Sequence, residues 1–235
     1  MNGICLIKTT NNQMKHINIL MVDDHPIIIE GYQNVLMATK DDDQTLLIDT
    51  ANNCDTAQLM INRAAKGTPY DVCFFDISLP PSEDGRYASG EDLALLAKRV
   101  LPDAKIIILT MFNESFRIHN IIKEINPDGF LIKSDLTSME LADAFQQILK
   151  YPPYYSSTVN NYVKKTITSE IYVDDINRKI LHLLSQGIKT RSLIEYIPLS
   201  ISAIEKRKKQ LKLLFSVEDG KDETLLNEAR EKGYL

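Results

Sequence analysis

The chain has 235 residues, a formal net charge of −5, 44% hydrophobic and 25% charged residues, a balance that fits one large domain or two modest ones with a real core. No run approaches the ~20 consecutive apolar residues of a membrane span, so no membrane partner is expected, and Ile4-Cys5-Leu6-Ile7 is too short for a signal-peptide core. Cys5, Cys54 and Cys73 are odd in number, widely spaced and without metal-ligand spacing, which points to a reduced, cytoplasmic protein.

Residues 1–14 read as an N-terminal tail, since Met14 could equally serve as a start. From 15 to 150, short runs rich in Ile, Leu, Val and Phe alternate with amphipathic segments. The runs predict strands at Ile17–Val22, Leu46–Thr50, Val72–Phe75, Lys105–Leu109 and Gly129–Ile132. The segments between them predict helices at Pro26–Thr39, Asp55–Lys66, Ser89–Val100, Glu114–Glu124 and Ser138–Lys150. That alternation predicts an α/β domain, a doubly wound five-stranded parallel sheet with helices on both faces. A long polar loop, Leu79 to Tyr87, interrupts the rhythm after the third strand.

Pro152 and Pro153 cannot continue the preceding helix, because proline lacks the amide proton and clashes with the turn before it. Residues 151–172 therefore read as a linker with room for a short helix. Residues 173–235 predict a second, smaller all-α domain. A helix around Ile176–Leu184 is followed by one at about Thr190–Tyr196, one capped by Ser200 and running to Leu214, and a last one at about Asp222–Lys232. A short helix, a tight turn and a basic helix outline a helix-turn-helix. Between Ile176 and Ser216 the basic residues are Arg178, Lys179, Lys189, Arg191, Lys206, Arg207, Lys208, Lys209 and Lys212, against Glu195 and Glu205 alone. A basic segment on an acidic chain points to nucleic acid.

The chemistry-bearing residues stand where the apolar runs end: Asp23 and Asp24, Asp76, Thr110 and Lys133. In an open α/β sheet, ligands bind outside the carboxyl ends of the strands. Carboxylates gathered there repel one another by ~4 kcal/mol per pair at ~4 Å and an effective dielectric near 20. A divalent cation relieves that repulsion and bridges to phosphate oxygens. Asp76 is the candidate nucleophile of an acyl-phosphate chemistry.

Asp-Asp after the first strand, Asp after the third, Thr after the fourth and Lys after the fifth resemble the flavodoxin-like receiver domain of two-component response regulators. The resemblance covers about residues 15–150. It implies a phosphoryl group taken by Asp76 from a cognate sensor histidine kinase, in a protein that is not itself an enzyme. It implies Mg2+ held by Asp24, Asp76 and the carbonyl of Ser78, with Asp23 acting through water, and Lys133 and Thr110 on the phosphate. It implies that Phe130, three residues before the lysine, is the switch aromatic. Ser134 departs from the proline that many receivers carry after the lysine, so a cis peptide is not expected there. The enlarged loop and the motif Ser89-Gly90-Glu91-Asp92 have no assignable role from sequence.

Leu181 to Ile188 and Leu199 to Leu214 resemble the LuxR/NarL-type helix-turn-helix output domain. That resemblance implies promoter DNA as partner, contacted by Lys206, Arg207, Lys208, Lys209 and Lys212, and a homodimer once phosphorylated. By the same resemblance Lys206 and Lys209, with Glu205, would face the major groove, while Arg207, Lys208 and Lys212 would lie near backbone phosphates or packing. The other reading of the basic helices is a module that binds a protein. An aspartyl-phosphate phosphatase is disfavoured, because the general acid it needs two residues beyond the nucleophile is Ser78 here.

Overall fold

Five apolar runs decide the centre of the molecule, because strands covered on both faces must be apolar throughout. The computed structural model describes residues 14–168 and 173–235. Of the expected tail only Met14, and of the expected linker all but 169–172, fall within these. The strands are β1 (Lys15–Val22), β2 (Gln44–Ala51), β3 (Val72–Asp76), β4 (Lys105–Thr110), β5 (Gly129–Ile132) and β6 (Tyr154–Tyr155). The helices are α1 (Pro26–Thr39), α2 (Cys54–Ala64), α3 (Gly90–Val100), α4 (Ser115–Glu124), α5 (Ser138–Lys150), α6 (Ser157–Thr168), α7 (Asp175–Ser185), α8 (Ile201–Leu214) and α9 (Asp222–Glu231).

The sheet order is β2-β1-β3-β4-β5-β6. It has six strands rather than the five expected, because Tyr154–Tyr155 adds an edge strand beyond β5. A two-residue strand carries no periodicity that sequence could reveal. The pairs β1–β2, β1–β3 and β3–β4 are parallel.

Contacts divide the chain into two units. The first comprises the residues up to Leu109 with Leu136–Tyr154. Here every residue of β3 is buried, as are Ile19 to Val22 of β1 and Ile106 to Leu109 of β4. Helix starts are fixed locally: the Asn53 side chain accepts from Thr56 N (2.8 Å), and Ser89 Oγ from Glu91 N (3.2 Å). Thr137 and Glu140 close a reciprocal capping box before α5. The enlarged loop folds on itself around buried Ser82. Its Oγ donates to Asp84 Oδ1 and accepts from Tyr87 N (2.8 and 3.0 Å).

The second unit comprises Thr110–Asp135 with Tyr155–Leu235. Ile180, Leu181, Leu184, Leu193, Ile204, Leu211, Phe215 and Leu225 form its apolar centre. The expected second helix of this region is a 3-10 segment, Thr190–Glu195. Helix α4 packs against both α6 and α7. The stretch read as a linker is therefore built in: Ser156 N donates to Phe130 O (3.0 Å), and Ile132 N to Ser156 Oγ (3.1 Å). Asp135 accepts from Thr158 N and Oγ1, both at 2.8 Å. Arg178 is buried, Nε donating to Val173 O (3.2 Å) and the guanidinium lying 4.8 Å from the Tyr234 ring centre.

Candidate functional site

Strand register assembles the acidic pocket. Val22 pairs with Phe75, so the next residues along, Asp23 and Asp76, emerge side by side at the carboxyl ends of β1 and β3. Asp23, Asp24, His25 and Asp76 each offer a ligand atom, and these atoms all lie within 4.8 Å of one another. Asp23 and Asp76 are buried at 3% and 1% exposure, so the charge is held out of water. Unit charges 4.8 Å apart repel by about 3.5 kcal/mol at an effective dielectric near 20.

Local donors offset part of that cost. His25 N donates to Asp23 Oδ1 (3.0 Å), and Ser78 N donates to Asp76 Oδ1 (3.2 Å). Asp24 Oδ1 is sheltered from solvent yet takes no aligned hydrogen bond, although His25 Nδ1 stands 2.7 Å away. An anionic oxygen turned inward without an aligned hydrogen bond, beside two buried carboxylates, fits a divalent cation.

The remaining residues foreseen from sequence fall as follows. Asp76 pairs with Leu109, which places Thr110 at the next position of β4, fully buried, its Oγ1 accepting from Phe112 N (3.0 Å). Lys133 is half-buried and opens the 3-10 turn Lys133–Asp135 directly after β5. Phe130 is fully buried. The cis peptide recorded falls at Pro152-Pro153, away from Ser134. Two residues were not picked out by sequence reasoning. His25 was visible only as the neighbour of Asp24. Gly90 lies so near β3 that a Cβ would meet Asp76 O at 1.8 Å, a non-local approach that no sequence spacing encodes.

On the second unit the basic residues divide in two. Arg207 pairs with Asp174 (2.8 Å), Lys208 with Asp222 (2.6 Å) and Lys212 with Asp222 (2.6 Å), so these three tie α8 to the start of α7 and to α9. Lys206 and Lys209, with Glu205 and Gln210, are exposed on the outer face of α8. His182 stacks on Phe116, ring centres 4.4 Å apart.

A doubly wound α/β sheet with three carboxylates at its carboxyl edge, followed by a small helical bundle, is the architecture of a response regulator with receiver and helix-turn-helix output. Known proteins agree with it. The chain is 25% identical over 218 residues to the transcriptional regulatory protein RcsB of Escherichia coli, covering 91% of this chain and 94% of that protein. It is 23% identical over 203 residues to the oxygen regulatory protein NreC of Staphylococcus epidermidis, covering 81% and 87%. A solved structure of two RcsB dimers bound to two parallel DNAs superposes with a TM-score of 0.60 at 22% identity, covering 92% of this chain and 98% of that one. No protein-family model matches the chain.

Proposed function

We propose that this chain is a DNA-binding transcriptional regulator of a two-component system, phosphorylated on Asp76 by a sensor histidine kinase. The observation that carries the reading is the convergence of Asp23, Asp24 and Asp76 within 4.8 Å at the carboxyl edge of the sheet. Hard oxygen donors of this kind fit Mg2+, held by Asp24, Asp76 and the Ser78 carbonyl, with Asp23 acting through water. When bound, the cation neutralises charge on the transferring phosphoryl group.

The protein's own part is positioning. An Asp76 carboxylate oxygen attacks phosphorus in line, the P–N bond to the kinase histidine breaks, and its electron pair returns to the imidazole. The Lys133 ammonium then pairs with the new phosphoryl oxygens, and the Thr110 hydroxyl gives up Phe112 N to turn toward them. Phe130 follows the space that Thr110 vacates. Bonds to a phosphoryl group of charge near −2 supply the differential energy that such a switch requires.

The exposed Lys206 and Lys209 on α8 support DNA as the output partner. The RcsB dimers seen on DNA support both that partner and a homodimer, and we propose that phosphorylation favours the dimer. Among the described residues no helix is long and apolar enough to cross a membrane, and the protein is proposed to act in the cytoplasm. The test is beryllofluoride treatment with Mg2+, followed by mass measurement and titration with promoter DNA. Wild type is expected to take the adduct and bind DNA more tightly. Asp76→Asn is expected to do neither, and an unchanged response in that variant refutes Asp76 as acceptor.

A further inference from the structure

His25 occupies the N-cap position of α1, but its side chain makes no cap hydrogen bond. Pro26 follows at the first helical position, where the missing amide proton removes one donor that a cap would serve. The imidazole turns instead toward the acidic pocket, with Nδ1 3.2 Å from Asp23 Oδ1 and 2.7 Å from Asp24 Oδ1. The shorter approach is not an aligned hydrogen bond, since Asp24 Oδ1 has no hydrogen-bond partner. Two donor atoms side by side at this separation match neighbouring ligands on one metal. Ligands ~2.1 Å from an octahedral centre stand about 3 Å apart along an edge. The side chain is 62% exposed, and the contacts that turn it inward are with the two pocket carboxylates, the one to Asp23 Oδ1 a hydrogen bond.

We infer that His25 is an additional, nitrogen ligand of the divalent-cation pocket and biases it toward borderline transition ions such as Mn2+ and Co2+ over Mg2+. The inference rests on the reading of this pocket as a cation site, and it adds the imidazole to the Asp24 and Asp76 carboxylates and the Ser78 carbonyl, with Asp23 still acting through water. Magnesium takes oxygen donors and dehydrates reluctantly, whereas imidazole suits the later first-row ions. Removing the imidazole should therefore weaken binding of those ions and leave Mg2+ largely untouched.

The test uses the full chain freed of metal, as wild type, His25→Gln and Asp24→Asn. Mn2+ is the probe for pulsed electron paramagnetic resonance, and Co2+ and Mg2+ are titrated by calorimetry. Wild type with Mn2+ should show coupling to an imidazole nitrogen that vanishes in His25→Gln. Co2+ affinity should fall about tenfold or more in that variant, the scale on which metal sites respond to changes near their ligands, while Mg2+ affinity holds. Bound Mn2+ without imidazole coupling, coupling that survives in His25→Gln, or equal losses for Co2+ and Mg2+ each overturn the role of His25 alone. If wild type binds neither Mg2+ nor Mn2+, and Asp24→Asn is no different, the cation site itself fails and the inference fails with it.

Discussion

At Gly90 the identity of one residue is dictated by the backbone of another. A Cβ there would stand 1.8 Å from Asp76 O, and Gly90 N already donates to Ile77 O at 3.4 Å. Gly90→Ala must push α3 away from the strand end that carries Asp76. We expect it to lose about 1–3 kcal/mol, the usual cost of overpacking, and to slow beryllofluoride uptake. Gly31, inside α1, meets nothing within 4 Å, so Gly31→Ala should gain about 0.5–1 kcal/mol from helix propensity. Urea unfolding of the two variants side by side separates collision from the generic effect of a methyl group, and shifts of the same sign would refute the argument. Asp222 makes a second case. Burial alone would raise its carboxyl, but Lys208 and then Lys212 outweigh that and hold it below the ordinary range. A folded value below the unfolded one means the ion pairs stabilise above about pH 4 and are lost as pH falls through the folded value. With Asp222 41% exposed, solvent screening limits the contribution to about 0.5–1 kcal/mol. Asp222→Asn should lower the urea midpoint at pH 7, and the gap to wild type should close on acidification to about pH 3.

At the scale of elements, α4 is held by chemistry that responds to pH. His119 Nδ1 meets Tyr162 Oη of α6 at 2.9 Å, and Nε2 faces Asp175 Oδ1 of α7 at 3.4 Å. Lys123 pairs with the same carboxylate, and Arg178 adds positive charge from α7. Burial, then Arg178, lower the His119 pKa against the opposing pull of Asp175. The unfolded chain therefore binds a proton below about pH 6.5 that the folded one resists, so stability falls on acidification through that range. Protection of the α4 amides, the exchange rate taken relative to its intrinsic base-catalysed value at each pH, should fall between pH 7.5 and 5.5, and His119→Gln should remove the change; protection that does not respond to pH defeats this account. The sequence made these helices legible but not their partners. Buried strands and amphipathic helices have periods, so α1, α5 and β5 stand at the bounds the pattern predicts. The acidic pocket was legible for a related reason, since each of its residues sits at the end of such a run. Edge strand β6, the docking of α6 and the approach of Gly90 to Asp76 depend on residues far apart in the chain, for which local pattern has no signal. Three of the five basic residues named for DNA were likewise legible as basic but not as paired, because Asp174 and Asp222 reach them only after folding.

For the whole molecule, charge decides how an acidic protein meets nucleic acid. At −5 overall the chain is repelled by phosphate at long range, so binding must rest on a local basic face. Arg207, Lys208 and Lys212 already neutralise Asp174 and Asp222 and offer little net charge outward. Lys206 and Lys209 lie exposed on α8, one turn apart, and are the residues proposed to supply that face. Each phosphate neutralised contributes a slope of about −0.9 to the dependence of log affinity on log salt. Lys206→Ala and Lys209→Ala should each weaken promoter binding and flatten that slope by up to about 0.9, with urea unfolding unchanged. Arg207→Ala should behave in the opposite way, leaving the slope nearly as it was while stability falls by about 0.5–1 kcal/mol, since it removes an internal pair 28% and 41% exposed. Titrations between low and moderate salt on the three variants measure the division directly. Equal slope changes for all three would mean that Arg207 leaves Asp174 for phosphate on binding, and the partition of α8 into an internal and a DNA-facing side would fall.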